Sequence, residues 1–338
     1  SVSGEPSPVA QGIPFFRPTA WSEFDASVDG VLVYVTGWQR SQLTWLDRQG
    51  KETGTVGTPK EFWSSVRISP DGSKVAVDVS DPGKGGADLW TFDLAKGTAE
   101  RLTSDPGVEA SAVWSPDGTS LAYGSAQAGA PQLRVRALYE QGSGQVFAPG
   151  PFQLPNHWSA DGRWIFYQSS GNDVKADIWI ASVLDRTIAQ LTNSSFNASF
   201  PALSPNGEYL AFSANDTGRD EVYVQRFDGS GVPKLVGPRK RVSNDGGVDP
   251  RWRRDGKELF FVSLHNQMMA APVNPGPGPE IAAPVLLFTM PTSYRTMSPS
   301  GQNYDVSPDG RKFLKPKGIA NSDLAVAVIN WQAALYRR

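Results

Sequence analysis

In Arg67-Ile68-Ser69-Pro70-Asp71-Gly72-Ser73-Lys74-Val75-Ala76-Val77, a Ser-Pro-Asp-Gly turn separates two short extended runs. An Asp-Gly pair between β-forming residues is the strongest short-range hairpin signal. Asp tolerates the left-handed region and caps its own backbone, while Gly takes positive φ without a Cβ clash. The same turn returns along the chain at Ser27-Val28-Asp29-Gly30, Ser115-Pro116-Asp117-Gly118, Ser159-Ala160-Asp161-Gly162, Ser204-Pro205-Asn206-Gly207, Arg253-Arg254-Asp255-Gly256 and Ser307-Pro308-Asp309-Gly310. Successive Asp or Asn positions stand 42, 46, 44, 45, 49 and 54 residues apart. A period of roughly 40 to 50 residues with several strands per copy is the mark of a β-propeller.

Each copy reads as four strands. One enters the turn and a second leaves it, as in Trp164-Ile165-Phe166-Tyr167 and Tyr209-Leu210-Ala211-Phe212. A third carries an Asp-Leu-Trp flavour (Asp88-Leu89-Trp90, Asp177-Ile178-Trp179), and a fourth closes the unit, as in Ala189-Gln190-Leu191-Thr192. The expected fold is all-β: a seven-bladed β-propeller of four-stranded antiparallel blades, with six blades and one degenerate flanking copy as the alternative. The whole chain, 1–338, reads as one propeller domain. Blades are expected near residues 15–58, 62–104, 108–149, 152–193, 197–238, 242–290 and 302–336, with 1–8 as a linker-like start. The last copy supplies three strands, so the stretch 9–13 is expected to complete it and close the ring, removing the exposed edge of an open stack.

Composition narrows the chemistry. The chain of 338 residues has a formal net charge of -2, which argues against a nucleic-acid partner. Cysteine is absent, which removes disulfides, thiolate metal sites and cysteine nucleophiles, and suits an oxidising compartment. No apolar run approaches a membrane span, so no membrane insertion by this segment is expected. With two histidines, His157 and His265, and no His-x-x-x-His spacing, a zinc site would fall to Asp and Glu. No Gly-x-Ser-x-Gly elbow is present, and Gly83-Lys84-Gly85-Gly86 lacks the spacing of a phosphate loop. No catalytic residue is assigned.

The turns provide a coordinate frame. The turn residues Asp29, Asp71, Asp117, Asp161, Asn206, Asp255 and Asp309 read as structural. Three positions earlier the series is Ala26, Ile68, Trp114, Trp158, Leu203, Trp252 and Val306, all apolar and expected between blades. Four positions earlier it is Asp25, Arg67, Val113, His157, Ala202, Arg251 and Asp305, mostly polar and near the start of the innermost strand. Glu23, Glu109 and Asp249 lie just upstream. The candidate channel-mouth residues are therefore Glu23, Asp25, Arg67, Glu109, His157, Asp249, Arg251 and Asp305. Two readings are open: ion pairs satisfying one another between blades, or a ligand site. Asp25 and Asp305, brought together by closure, form a candidate calcium site of hard oxygen ligands; no other cofactor is expected. The segments 274–279 and 291–301 depart most from the blade template and are a second candidate surface.

The Ser-Pro-Asp-Gly repeats resemble the TolB-type propeller along the whole chain. Leu43-Thr44-Trp45-Leu46-Asp47-Arg48-Gln49-Gly50-Lys51, Glu221-Val222-Tyr223-Val224-Gln225-Arg226-Phe227, residues 250–261 and Val328-Ile329-Asn330-Trp331-Gln332-Ala333-Ala334-Leu335 are closer still to the C-terminal propeller region of bacterial membrane-bound serine/threonine protein kinases. That resemblance implies a non-catalytic sensor or interaction module outside the cytoplasm, tethered by a span upstream and coupled to a kinase domain absent from this chain. Its partner would be a small molecule or a protein segment at the central channel. The alternatives are a TolB-like envelope interaction platform, and a propeller hydrolase or lyase using channel carboxylates.

Overall fold

The structure is a computed structural model that describes residues 15–16, 21–22, 24–35, 40–81, 86–127, 129–140, 142, 144–148, 150, 152–170, 175–274, 280–291, 303–319 and 325–329. Five antiparallel sheets follow one another along the chain, each running outward in chain order. The first is Phe62–Ile68, Lys74–Asp81, Gly86–Asp93 and Ala99–Arg101. The second is Glu109–Trp114, Ser120–Ser125, Gln132–Ala137 and Gln145–Ala148. The third is Gln153–Trp158, Trp164–Ser170, Ala176–Ser182 and Ile188–Gln190. The fourth is Ala198–Leu203, Tyr209–Ala214, Glu221–Asp228 and Lys234–Arg241. The fifth is Val248–Trp252, Glu258–Val262 and Gln267–Asn274, with Glu280–Ile281 and Val285–Thr289 both pairing to that last strand. β-branched and aromatic residues fill the middle strands because a pleated surface buried on both faces favours them.

The sixth sheet joins the two ends of the chain. Asp305–Val306 and Lys312–Gly318 are its inner strands, and Ser41–Asp47 and Glu52–Lys60 its outer ones. Seven residue pairs, from Lys312 opposite Asp47 to Gly318 opposite Ser41, hold the seam. Leu43, Val56 and Leu314 pack against Val75, Val77 and Phe92 of the first sheet. On the other side Leu46, Tyr304 and Phe313 pack against Phe260, Met268 and Phe288 of the fifth. The sixth sheet thus lies between the fifth and the first.

The turns give the same order. Pro308 of the sixth sheet stands 3.1 Å from where a Cβ on Gly72 of the first would be. Pro70 approaches Gly118, Pro116 approaches Gly162 and Pro205 approaches Gly256 at 3.7, 3.6 and 3.9 Å by the same measure. Arg253 takes this place against Gly310, while nothing lies within 4 Å of Gly207, in line with Ala160 standing where proline would be. Five of the six turns are therefore met by the turn of the preceding sheet, and the order runs around six sheets.

Among the described residues six sheets, the lower of the two expected counts, surround the channel. The Asp29-Gly30 turn belongs instead to a separate three-stranded sheet of Phe24–Ala26, Val31–Val35 and Ala325–Ile329. The expected units 15–58 and 302–336 are accordingly each divided between two sheets, Phe15–Phe16 and Trp21–Ser22 making a further pair of their own. The physical reason lies in the first copy. Its inter-blade position is Ala26, which is exposed, so it supplies none of the bulk that Ile68, Trp114 or Trp252 puts between sheets. The ends do mix to close the ring, but through 41–60; the expected closing strand 9–13 lies outside the described residues.

Ser69 Oγ donates to Asp71 Oδ1 at 2.5 Å, Asp71 Oδ1 accepts from Ser73 N at 3.1 Å, and Gly72 N donates to Ser69 O at 2.9 Å. The hydroxyl contact to Asp recurs at Ser115, Ser159 and Ser307, and reaches the amide oxygen of Asn206 from Ser204. Glycine alone is left-handed here, with Gly72 at φ 76°; the turn aspartates are not among the positive-φ residues. Proline leads the turn and glycine ends it. The bonds from Ser69 and Ser73 hold the Asp71 carboxyl down to about 2.

Candidate functional site

The innermost strands of the six sheets line one cavity of about 540 Å³. Its wall at the level four residues before each turn is Arg67, Val113, His157, Ala202, Arg251 and Asp305. Pro70, Pro116, Ala160, Pro205, Arg254 and Pro308 line the same cavity from the turns. Arg254 reaches across the mouth and donates to Pro70 O. Immediately before the lining position the inner strands of sheets two to five bulge, with register shifts ending at Val113, His157, Ala202 and Arg251. In three of them the bulged residue is a non-glycine held left-handed: Ser111 (φ 59°), Phe200 (φ 55°) and Asp249 (φ 56°). Bulges re-aim side chains, and such strain persists where surrounding packing over-determines it.

The wall is divided by charge. Sheets five, six and one contribute Arg251, Asp305 and Arg67, whereas sheets two, three and four contribute Val113, His157 and Ala202. Asp305 accepts from Ile68 N at 2.7 Å through Oδ2 and from Val306 N at 2.9 Å through Oδ1. Burial raises its carboxyl above the ordinary range, with Arg67 and Arg251 opposing. Arg251 Nη2 lies 2.6 Å from Asp249 Oδ1, both residues being buried. Behind them Lys315 is buried with Nζ 3.4 Å from Asn303 O, and burial brings its amine down to about 8. Arg67 Nη1 donates to Val66 O (2.9 Å) and Tyr304 O (3.4 Å), and no carboxylate stands within ion-pair distance of Arg67 among the described residues. Burial, then the neighbouring Arg251, brings the Arg67 guanidinium down to about 9.

Of the eight sequence candidates, Arg67, His157, Arg251 and Asp305 line the cavity. Asp249 is drawn in behind them as the partner of Arg251. Glu109 is not at the mouth: it is buried in its own sheet, with Oε1 accepting from Ser125 Oγ at 3.0 Å. Asp25 is exposed, sits in the separate three-stranded sheet, and does not line the cavity. Glu23 lies outside the described residues, as do 275–279 and 292–301 of the two candidate insertions. The calcium expectation fails on this geometry. Closure puts Asp305 next to Arg67 instead of Asp25, and the carboxylate faces two guanidiniums. Among the described residues no group of three His, Asp or Glu side chains is placed to hold a metal ion. Sequence reading missed Lys315, and also Asn156 and Tyr304, which stand five residues before their turns at a position where the other copies carry Phe, Val, Ala or Pro. The prolines of the Ser-Pro-Asp-Gly turns also form the rim, a role that their place in a turn does not announce.

Burial pushes the His157 imidazole down to about 3, with Arg251 and Arg67 also repelling the proton. The unfolded chain therefore binds that proton below about 6.5 while the folded one does not, and stability falls as pH drops through this window. Burial pushes the Glu109 carboxyl up to about 7. Here the folded chain holds the proton between about 4.5 and 7, so stability falls as pH rises. Between about pH 4.5 and 6.5 the two oppose. Urea unfolding across that range is expected to show His157→Gln lowering the slope of stability against pH and Glu109→Gln raising it. Slopes equal to the parent's would contradict both assignments.

Residues 27–173 match the sequence profile of the TolB beta propeller domain. A solved structure assigned to TolB from Agrobacterium tumefaciens superposes with a TM-score of 0.61 at 19% identity, covering 84% of this chain and 100% of that one. The fold is a TolB-type β-propeller. The chain is also 27% identical over 213 residues to an uncharacterized protein of Agrobacterium fabrum, covering 58% of this chain and 68% of that protein. It is 30% identical over 155 residues to the uncharacterized peptidase YuxL of Bacillus subtilis, covering 46% of this chain. It is 35% identical over 82 residues to the Tol-Pal system protein TolB of Alcanivorax borkumensis, covering 24% of this chain. These two matches span 22% and 18% of those proteins, which the propeller here therefore covers only in part. No helix among the described residues is long and apolar enough to cross a membrane.

Proposed function

We propose that this TolB-type propeller is a non-catalytic binding platform of the cell envelope, and that it takes a polypeptide segment of a partner at the proline-rimmed mouth of its channel. The observation that carries the reading is the convergence of six inner strands on one cavity, whose wall sets charged donors beside an apolar half. Prolines and buried guanidiniums form a stiff concave surface of the kind that recognises extended segments with little ordering cost. The likeness to a Tol-Pal system protein supports an envelope role, and the cysteine-free composition suits an oxidising compartment.

Coupling to a serine/threonine kinase through an upstream span is the finer form of this reading. It rests on the sequence resemblance alone, and none of the relatives named above is described as a kinase. The hydrolase or lyase reading draws less support from the wall, because both oxygens of Asp305 already accept backbone N–H groups. A photo-crosslinking residue at Ala160, exposed on the rim, is expected to give in cells an adduct with one defined polypeptide. The same residue at Tyr139, 85% exposed outside the cavity, is expected to give none. Adducts from Tyr139 with none from Ala160 would move the interface away from the channel.

A further inference from the structure

The channel floor holds more hydrogen-bond donors than the protein uses. Arg67 and Arg251 are 7% and 8% exposed, and Asn156 is 2% exposed. Arg67 Nη2, Arg251 Nε and Asn156 Nδ2 have no hydrogen-bond partner and are shielded from solvent. Around them Arg67, Arg251 and Lys315 face Asp249 and Asp305 while His157 is held neutral, an excess of one positive charge. A buried donor without an acceptor, and a buried cation without a counter-ion, are each costly and each relieved by an anion. The two guanidiniums also repel one another.

We propose that the floor of the channel is an anion site in which Arg67 and Arg251, assisted by Asn156, take a carboxylate carried on a short apolar stem. A guanidinium matches a carboxylate as a planar two-pronged donor, and a modest turn of either arginine brings its unused N–H into the cavity. The apolar half of the wall, Val113, Ala202 and Leu203, receives the stem. The carboxylate comes either from a small organic acid or from the C-terminus of an inserted polypeptide. This deepens the proposed function, since it names the chemistry that the channel would select in its partner.

The test uses the intact chain with propionate, with sodium chloride at equal ionic strength, and with the peptide Ala-Leu-Val as free acid and as C-terminal amide. Binding is read by thermal shift and calorimetry, since a ligand of the folded state raises the melting temperature by mass action. Propionate is expected to raise it where chloride does not. Arg67→Gln is expected to weaken propionate by at least about tenfold, the scale of one lost charge-assisted bond. Arg67→Lys, which keeps the charge and loses the fork, is expected to lie between. Free-acid peptide binding tightly while the amide does not would make a polypeptide terminus the source; propionate binding as well as the peptide would make it a small acid. If propionate and chloride act alike on the parent chain, the unused donors hold only water and the proposal is overturned, whether or not the variants fold. Losing this site would leave rim crosslinks from Ala160 untouched, and losing those crosslinks would leave the propionate effect, so the two readings fail separately.

Discussion

Asn in place of Asp249 is expected to destabilise the folded chain by about 3 to 5 kcal/mol, seen as a lower urea midpoint. The magnitude follows from what stays behind. Asp249 Oδ1 lies 2.6 Å from Arg251 Nη2, and the pair is buried. Lys315, buried to 1% exposure beside them, is also stabilised in its charged form by Asp249. Removing the carboxylate strands two cations away from water. Asn is the informative replacement because it tolerates the left-handed backbone that Asp249 adopts at φ 56°, so the charge changes and the strain does not. A second change that removes the stranded guanidinium, Arg251→Met, is expected to restore part of the loss, since breaking a buried pair costs more than replacing it whole. A loss below about 1 kcal/mol from Asp249→Asn would mean that these charges are solvated and not a buried, mutually compensating group.

Much of this floor was legible in the repeat. Counting back four residues from each turn reaches Arg67, His157, Arg251 and Asp305, which line the cavity, because the turn fixes the register of the inner strand, and register fixes which side chains face the channel. The same count fails for Asp25, because a Ser-x-Asp-Gly turn makes a hairpin wherever it occurs, whether or not the hairpin joins the ring. What decides membership is the neighbouring position, and Ala26 is too small to wedge between sheets. Glu109 stands upstream of the bulge in its strand and Asp249 within the bulge of its own, where the two-residue alternation breaks, and the count says nothing about the direction of their side chains. Glu109 accordingly turns into its own sheet, while Asp249 reaches Arg251. The closing seam was hidden for a different reason. Lys312–Gly318 and Ser41–Asp47 are far apart in sequence, and no local signal announces a pairing over such a distance.

That seam holds the rest together. It sets the sixth sheet between the fifth and the first, which is what puts Asp305 between Arg251 and Arg67. Gln42 and Lys317 stand opposite one another across it, both half-buried, in a chain with no cysteine of its own. Directly opposed side chains have Cβ atoms about 4.5 to 5.5 Å apart, close enough for a disulfide after a small adjustment of the strands. A crosslink enclosing most of the chain removes much of the unfolded state's freedom. The stabilisation is expected to reach about 5 kcal/mol at best, less the hydrogen bonds that Gln42 Nε2 gives to Val56 O and Gly57 O.

The measurement is therefore the free-thiol count and reducing-agent-dependent melting of Gln42→Cys/Lys317→Cys. A ring closed by 41–60 on 312–318 predicts a monomer with no free thiol after mild oxidation, and a melting temperature that falls when the bond is reduced. Two free thiols in a folded monomer, or disulfide-linked dimers with the parent's melting temperature, would show that the two ends of the chain do not share a sheet and that the channel is not built as described.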